Sequence, residues 1–239
     1  MRNILNNILS ILGYKIKRSK WLYENDKNLI ATLKSQNINS IIDVGASSGQ
    51  FAEQVFKNGF KGLIYSFEPL KKEHDILLIK SKKKEGGNWK IQKRCALGAA
   101  DKNVVINISG RRQSSSIYNI SKIHTSLFPD SKNISSETVK MEKLDNYLEE
   151  FRSLKKKILL KIDTQGYELE VIKGAKKIMP YIDCLLLEVS LTRLYEEQPL
   201  FEEILDYTSK NGFSIWSVDR VVGNKFTGQT HQLDVVFIK

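Results

Sequence analysis

Cysteine is scarce in this chain, and long apolar runs are absent. The only cysteines among the 239 residues are Cys95 and Cys184, and they do not form a CxxC pair. This argues against both a disulfide framework and a zinc ribbon, and it favours a reducing, cytoplasmic setting. No run approaches the roughly 18 uninterrupted apolar residues that a membrane-spanning helix needs. Since 41% of the residues are hydrophobic, the sequence predicts a soluble protein with a real core, most simply one α/β domain.

Acidic residues are outnumbered by basic ones, and the formal net charge is +11. The lysines are scattered in short runs without interleaved aromatic residues, so a solvated basic surface is favoured over a nucleic-acid footprint. Anionic small molecules such as sugar nucleotides stay compatible with this charge.

The first 20 residues have apolar side chains at helical spacing, with basic residues on both sides. A sustained apolar core and a small-residue cleavage site are missing, which disfavours a secretory signal. We predict a helical cap over residues 1–36, packed on the domain or on a partner. The alternative is a helix that contacts a membrane surface peripherally through residues 1–20.

From residue 37 to 239, strand-like and helix-like segments alternate, which is typical of βαβ units and a largely parallel sheet. Helices are predicted over 22–36, 49–59, 70–83, 145–151, 167–179 and 200–212, and strands over 40–45, 62–69, 89–98, 102–109, 138–144, 156–163, 182–190, 213–218 and 233–239. No helix separates the last two strands, so they are expected to pair as an antiparallel hairpin. A polar, Ser-rich insertion near 110–137 is typical of a lid or binding loop.

The run GASSG at residues 45–49 raises a choice between two chemistries. It matches the G-x-S-x-G turn that presents the nucleophilic serine of α/β-hydrolases, here Ser47. Asp183 or Asp219 and His231 supply a possible acid and base in the required chain order. However, the turn follows what looks like the first strand, and no HGGG-like loop precedes it. These absences disfavour a hydrolase.

The same run also fits a turn that approaches a nucleoside-containing cofactor. Asp43, Gly45 and Gly49 form D-x-G-x-x-x-G, which lacks the G-x-G-x-x-G spacing of dinucleotide sites. Glu68 ends the next strand, where a carboxylate can accept hydrogen bonds from both ribose hydroxyls. Asp43 is compatible with a cofactor that carries an ammonium and a sulfonium.

Several segments together resemble the FkbM family of S-adenosylmethionine-dependent methyltransferases. They are IIDVGASSGQF, SFEP and CALG in the first half, and LLKIDTQGYELEVIKGAKKIM, LLLEVS and LYEEQPLFEEILDYTSKNGF in the second. The resemblance spans about residues 39–237, and the K-I-D-x-x-G-x-E element is its most specific part. It implies a Rossmann-like sheet of seven strands with an antiparallel C-terminal hairpin.

The resemblance also implies methyl transfer to a hydroxyl of a sugar, glycan precursor or natural product. The cofactor site expected from it comprises Asp43, Gly45, Ala46, Gly49, Phe51, Glu68, Pro69, Ala96, Leu97 and Asp163. The alternative is a non-catalytic or nucleic-acid-associated module that retains the cofactor pocket. A nucleic-acid methyltransferase is disfavoured because DTQG occupies the place of an N/D-P-P-Y/F tetrapeptide.

An alcohol needs a base, or a metal that acidifies it, before it can attack a methyl group. Asp163 is the first candidate for base or metal ligand, with Glu188 beside it; together they can share a proton or a divalent cation such as Mg²⁺. Glu168 follows, with helix-dipole stabilisation as its alternative role.

The polar insertion adds further candidates. His124 is a candidate base if the insertion folds over the site. Arg111 and Arg112 can hold a substrate phosphate, and Ser114, Ser115 and Ser116 can lie near the acceptor. His74 and His231 are expected on the surface.

Overall fold

The computed structural model describes residues 24–84, 86–154, 156–224 and 226–239. Residues 1–23, with most of the predicted cap and the predicted membrane-contacting segment, lie outside the described residues. The rest of the cap forms helix α1, Glu24–Ser35. Across these described ranges, no helix is both long and apolar enough to cross a bilayer.

A seven-stranded sheet forms the centre of the fold, in the order β3-β2-β1-β7-β8-β10-β9. Its strands are β1 (Ser40–Val44), β2 (Leu63–Phe67), β3 (Trp89–Ile91), β7 (Ile158–Ile162), β8 (Cys184–Ser190), β9 (Ser214–Gly223) and β10 (Thr230–Ile238). Only β10 runs against its neighbours. The predicted parallel sheet and C-terminal hairpin are confirmed.

Helices cover both faces of this sheet. After α1 come α2 (Gln50–Lys57), α3 (Lys71–Lys83), α4 (Lys122–Leu127), α5 (Leu148–Ser153), α6 (Glu168–Lys173) and α7 (Phe201–Lys210). The central strand β1 is buried along its whole length. Ile41 packs in one apolar cluster and Ile42 in the other, because successive side chains of a strand point to opposite faces. Burial on both faces explains why the strand reads as a continuous apolar run.

The segment 89–98 was predicted as one strand, and this prediction is wrong. Pairing of β3 with β2 ends near Ile91, and the chain then turns through polar residues into β4, Ala96–Leu97. This strand belongs to a second sheet of order β4-β6-β5, in which β5 is Lys102–Ser109 and β6 is Asn133–Glu142. Apolar residues at both ends of the segment conceal the break, because each end is buried in a different sheet.

The polar insertion is more ordered than its composition indicates. It contains α4, and β6 begins at Asn133, five residues before the predicted strand, to pair with β5 (Lys102–Ser109) over its whole length. The first four residues of β6 are exposed on both faces. A strand without a buried face has no alternating pattern, so its start is not evident from the sequence.

Candidate active site at the carboxyl edge of the sheet

A cavity of about 360 Å³ opens at the carboxyl edge of the parallel strands, where ligands bind in open α/β sheets. Its lining combines the turn after β1, the residues after β2, strand β4, the turn after β7, the end of β8 and the polar insertion. The predicted site residues that line it are Gly45, Ala46, Phe51, Glu68, Pro69, Ala96, Leu97, Arg111, Arg112, Ser114, Ser115, Ser116, His124, Asp163 and Glu188. Asp43, Gly49 and Glu168 lie outside this lining.

Internal packing explains both glycines of the GASSG run. Gly45 has φ +75°, and a Cβ there would lie 1.9 Å from the carbonyl oxygen of Asp163. Gly49 has φ +89°, and its Cβ would lie 2.7 Å from the Trp89 ring and 2.9 Å from Leu77. The sequence-based interpretation required glycine for approach by the cofactor, whereas the structure shows approach by the protein's own β7 end and core side chains.

The turn is tied to β2 through Glu68. The backbone N–H of Ser47 donates to Oε2 of Glu68 at 2.8 Å, and the N–H of Leu70 donates to Oε1 at 2.8 Å. Glu68 is only 5% exposed. Burial outweighs these two hydrogen bonds and raises the pKa of Glu68 to about 7, so new donors to this carboxylate would be strongly favoured.

Asp43 lies behind the turn and pairs with Lys161. The Nζ atom of Lys161 is 3.0 Å from Oδ1 of Asp43 and donates to the carbonyl oxygen of Gly45 at 3.2 Å. Ser66 Oγ donates to the other oxygen of Asp43. Burial alone would lower the pKa of Lys161, but the charges of Asp43 and Asp163 raise it above its ordinary value. Asp43 thus holds the turn from beneath.

Asp163 and Glu188 are joined by one amide. Nε2 of Gln165 donates to Oδ1 of Asp163 at 2.7 Å and to Oε2 of Glu188 at 2.8 Å. The hydroxyl of Tyr195 lies 2.7 Å from Oε1 of the same amide, and Gln232 Nε2 also donates to Glu188. Burial, and then the charge of Asp163, raises the pKa of Glu188 well above its usual range.

The residues present do not fit the predicted divalent cation. Within the described ranges, no group of three or more His, Cys, Asp or Glu side chains is placed to hold a metal ion. Glu168, the third candidate carboxylate, turns to its own loop: Oε1 accepts hydrogen bonds from the backbone N–H of Thr164 and Gly166. It stabilises the turn after β7.

His124 is buried within the insertion, with 2% of its surface exposed. Its ring packs edge to face against Phe128 and Tyr195. The Leu194 backbone approaches the ring, but neither ring nitrogen makes a hydrogen bond of ordinary geometry within the described chain. Burial and the charge of Arg111 lower the pKa of His124. The insertion therefore brings an uncharged imidazole to the cavity.

The other residues of the insertion have distinct roles. Arg112 makes a two-point ion pair with the buried Glu73, so its charge is already matched. Ser116 Oγ donates to the backbone oxygen of Gln165 at 2.7 Å, and Ser115 Oγ donates to the backbone oxygen of Arg112. The insertion is thereby fixed to the turn after β7.

Two predictions about histidines are wrong. His74 is 8% exposed, with Nε2 at 2.8 Å from the Gln92 carbonyl oxygen, and His231 is 5% exposed, with Nδ1 at 2.9 Å from Thr192 Oγ1. Each ring packs where its polar atom finds a partner, which a single sequence does not reveal.

A hydrolase triad does not assemble around Ser47. Asp183 precedes β8 and therefore lies at the opposite edge of the sheet, where it accepts hydrogen bonds from Lys157 and from the backbone N–H of Ile158. His231 is committed to Thr192. The serine motif is a coincidence of spacing.

Sequence reasoning missed three residues of the site: Lys161, Gln165 and Tyr195. A lysine within the buried run LLKID was a usable signal, because an unpaired charge is not tolerated in a core strand. Gln165 has φ +56°, and neither this conformation nor its bridging amide is evident from sequence. Tyr195 reaches the site only through the tertiary fold.

The chain was compared with curated proteins, solved structures and protein families. No curated protein matches it. Solved structures with a similar fold include magnesium protoporphyrin IX methyltransferase from Synechocystis PCC 6803 with bound S-adenosylmethionine, at 12% identity and TM-score 0.49, covering 89% of this chain and 77% of that chain. Another is precorrin-6y C5,15-methyltransferase from Geobacter metallireducens GS-15, at 11% identity and TM-score 0.45, covering 89% and 88%.

The sequence family described as the methyltransferase FkbM domain matches residues 43–215. This range is more than half of the chain and includes the glycine turn, Glu68, the Asp163 turn and Glu188. The chain therefore belongs to the FkbM family and is an S-adenosylmethionine-dependent methyltransferase.

Proposed function

We propose that the protein is an O-methyltransferase that acts on a hydroxyl of a sugar, a glycan precursor or a natural product. One observation carries this proposal: a single cavity joins the glycine turn and Glu68 to the Asp163–Glu188 pair and to the polar insertion. The proposed cofactor region and the carboxylate pair thus line the same cavity. S-adenosylmethionine supplies an electrophilic methyl group on a sulfonium.

We assign the nucleoside of the cofactor to the end of the cavity that Glu68, Ala96 and Leu97 line. Glu68 is assigned to the ribose hydroxyls, because each of its oxygens accepts one backbone N–H and keeps a further lone pair. Ala96 and Leu97, both buried in β4, are assigned to the adenine. Gly45, Ala46, Phe51 and Pro69 complete this end.

Asp163 is proposed as the general base. It ends β7 at the edge where the acceptor hydroxyl would enter, and 37% of its side chain is exposed. Its carboxylate is held by Gln165 on one oxygen, with Lys161 at 3.7 Å from the other. A fixed carboxylate would take the hydroxyl proton as the oxygen attacks the methyl carbon in line, and the carbon–sulfur bond would break to leave S-adenosylhomocysteine.

Glu188 and His124 are proposed to support this step in different ways. Glu188 shares the Gln165 amide with Asp163, and its raised pKa favours the protonated form, which avoids a second negative charge beside the base. His124 lines the acceptor end and contributes a neutral imidazole. No step is assigned to a metal ion, because the donor set does not fit one.

Calorimetry and then turnover assays test the proposal. Wild-type protein should bind S-adenosylhomocysteine, and absence of binding would overturn the cofactor site. The protein is then incubated with S-adenosylmethionine and a panel of sugar nucleotides and matched free sugars, with and without EDTA. The methylated atom is located by NMR, and a methyl group on nitrogen or carbon would contradict O-methylation.

Substitution of Asp163 tests the proposed base. Asp163→Asn is expected to lower kcat roughly 100-fold and to weaken S-adenosylhomocysteine binding far less. Turnover that Asp163→Asn retains in full would remove this residue from the chemistry. Turnover abolished by EDTA and restored by Mg²⁺ would contradict the metal-free assignment.

A further inference from the structure

We propose that Arg111 and His124 form a binding site for an oxyanion, a phosphate or carboxylate group carried by the acceptor. The inference rests on the proposed function in that it concerns the acceptor of that methyl transfer. The site lies in the polar insertion, and both residues line the cavity. It would select for charged acceptors among those that carry a suitable hydroxyl.

Arg111 is the unmatched cation of the cavity lining. Arg112 is paired with Glu73 and Lys161 with Asp43, but within the described part of the chain no carboxylate lies at salt-bridge distance from Arg111. Its guanidinium carbon lies 4.4 Å from the ring centroid of Phe128. Stacking of this kind leaves the in-plane N–H donors of a guanidinium available to an oxyanion.

His124 supplies a second, independent observation. Only 2% of its surface is exposed, and its ring nitrogens lack hydrogen bonds of ordinary geometry in the described residues. Buried polar atoms in folded proteins normally have a partner, and an unpaired one is costly unless a ligand or water supplies it. His124 is among the residues that line the cavity, so we infer that a ligand bound in the cavity supplies this partner.

Phe128 contacts both groups. Its ring is stacked on Arg111 and lies 5.3 Å, centroid to centroid, from the His124 ring. The charge of Arg111 also acts on His124, where it adds to burial in lowering the pKa. An oxyanion between them would accept from the guanidinium and from the imidazole N–H, and would reverse the effect of Arg111 on the ring.

NMR of the imidazole tests this directly. Protein labelled with ¹⁵N and saturated with S-adenosylhomocysteine is titrated with inorganic phosphate, with acetate and, at equal ionic strength, with potassium chloride. His124 signals are assigned with His124→Gln. Phosphate or acetate is expected to shift them saturably, whereas chloride is not, and the tighter ion identifies the preferred group.

A pair of arginine variants separates the site from bulk charge. Arg111→Gln is expected to weaken the anion at least about tenfold, the effect of one lost charge-assisted hydrogen bond. Arg152→Gln removes an equal charge from an exposed helix residue that pairs with Glu149, and it should bind like wild type. Circular dichroism confirms the fold of both variants, since both arginines are exposed.

Three outcomes would overturn the proposal. They are no saturable shift of His124 in wild-type protein saturated with S-adenosylhomocysteine, equal anion affinity in Arg111→Gln and wild type, and an anion that binds the cofactor-free protein but is displaced when S-adenosylhomocysteine is added. The last outcome would assign the pair to the cofactor's own carboxylate. O-methylation of neutral acceptors with Arg111→Gln unimpaired would refute the subsite and leave the proposed function intact. Anion binding without O-methylation would refute the proposed function and leave the anion site intact.

Discussion

The Nζ atom of Lys161 lies 3.0 Å from Oδ1 of Asp43, and their side chains are 8% and 0% exposed. The pair connects β7 with β1 directly beneath the glycine turn, since the same ammonium donates to the Gly45 carbonyl oxygen. Asp43 therefore contributes to the turn by holding its backbone. This differs from the role expected from sequence, a negative charge that faces the cofactor.

Loss of Lys161 should destabilise the whole domain. Lys161→Met leaves the buried carboxylate of Asp43 without its cation, and we expect the free energy of unfolding to fall by about 3–5 kcal/mol. Urea denaturation measures it. The double variant Asp43→Asn, Lys161→Met removes both charges and should recover part of the loss. If Lys161→Met unfolds at the wild-type urea concentration, the pair is not structural.

Cofactor affinity should depend on pH through Glu68. Its pKa is about 4.5 in the unfolded chain and about 7 in the folded protein, so the folded state holds the proton between these values. Its contribution to stability therefore falls as pH rises from 4.5 toward 7. Ribose hydroxyls donate to the ionised form, so S-adenosylhomocysteine affinity should rise with pH and level off above about 7, as calorimetry can measure.

Glu68→Gln should remove this pH dependence and weaken S-adenosylhomocysteine at least about tenfold, through loss of charged hydrogen bonds. Glu68→Ala should weaken it as well, but it also leaves the N–H groups of Ser47 and Leu70 unpaired. Glu149→Gln, at a side chain that is 75% exposed, is the matched control and should keep the wild-type profile. An unchanged profile in Glu68→Gln would exclude Glu68 as the ribose carboxylate.

Two glycine variants separate the cost of a positive φ from the cost of a steric clash between a new Cβ atom and the Asp163 carbonyl oxygen. Gly45→Ala incurs a positive φ and a Cβ at 1.9 Å from Asp163, whereas Gly59→Ala, at φ +93°, meets nothing within 4 Å. We expect Gly59→Ala to cost about 1–2 kcal/mol and Gly45→Ala to cost about 4 kcal/mol or more, measured by thermal unfolding.

Cofactor binding by two further variants separates the role of the backbone of the turn from that of the Ser47 side chain. Gly45→Val should abolish S-adenosylhomocysteine binding, and Ser47→Ala should retain much of it and of turnover, since Glu68 contacts the Ser47 backbone. Equal losses of unfolding free energy in Gly45→Ala and Gly59→Ala would show that the close approach of the Asp163 carbonyl oxygen does not add to the cost at Gly45. Loss of turnover in Ser47→Ala with intact binding would reopen a chemical role for Ser47.

Gln165 should affect catalysis more than binding. Gln165→Leu removes the donor shared by Asp163 and Glu188, and we expect kcat to fall about 10- to 100-fold through misplacement of the base. The S-adenosylhomocysteine Kd should change little. Because the lost donor favours ionised carboxylates, the acidic limb of the kcat profile should also move to higher pH.

Tyr195→Phe gives the matched control for this amide. It keeps the ring and removes the hydroxyl that lies 2.7 Å from Gln165 Oε1, so a smaller fall in kcat is expected. The double variant should be little worse than Gln165→Leu alone, since the two act as a unit. Additive losses, or an unmoved pH profile, would contradict this connection.

The parts of the fold that local pattern determines were predictable from sequence. The buried run around Asp43, the turn at Gly45 and the carboxylate Glu68 at the end of β2 follow from hydrophobic periodicity and the order of strands. The C-terminal hairpin follows from the missing helix. These features depend on neighbours in the chain, and the sheet then brings them to one edge.

The features that escaped prediction depend on contacts distant in sequence. The chain breaks between β3 and β4 because β3 pairs with β2 and β4 pairs with β6, in different sheets. The early start of β6 is caused by its pairing with β5. Burial of His124 requires Tyr195, 71 positions later. The bridge by Gln165 requires Glu188 and a left-handed backbone. No local pattern encodes such partners.

The short strand β4 has a consequence for how the binding of S-adenosylmethionine and the binding of the acceptor affect each other. Ala96 and Leu97 lie in the cavity lining, and β4 pairs with β6 of the sheet that carries the polar insertion. The insertion is also fastened to the Asp163 turn by Ser116. The proposed assignments put both ligands against this connected part of the fold, so we expect the binding of one ligand to change the affinity for the other. Linkage then requires the factor to be the same in both directions.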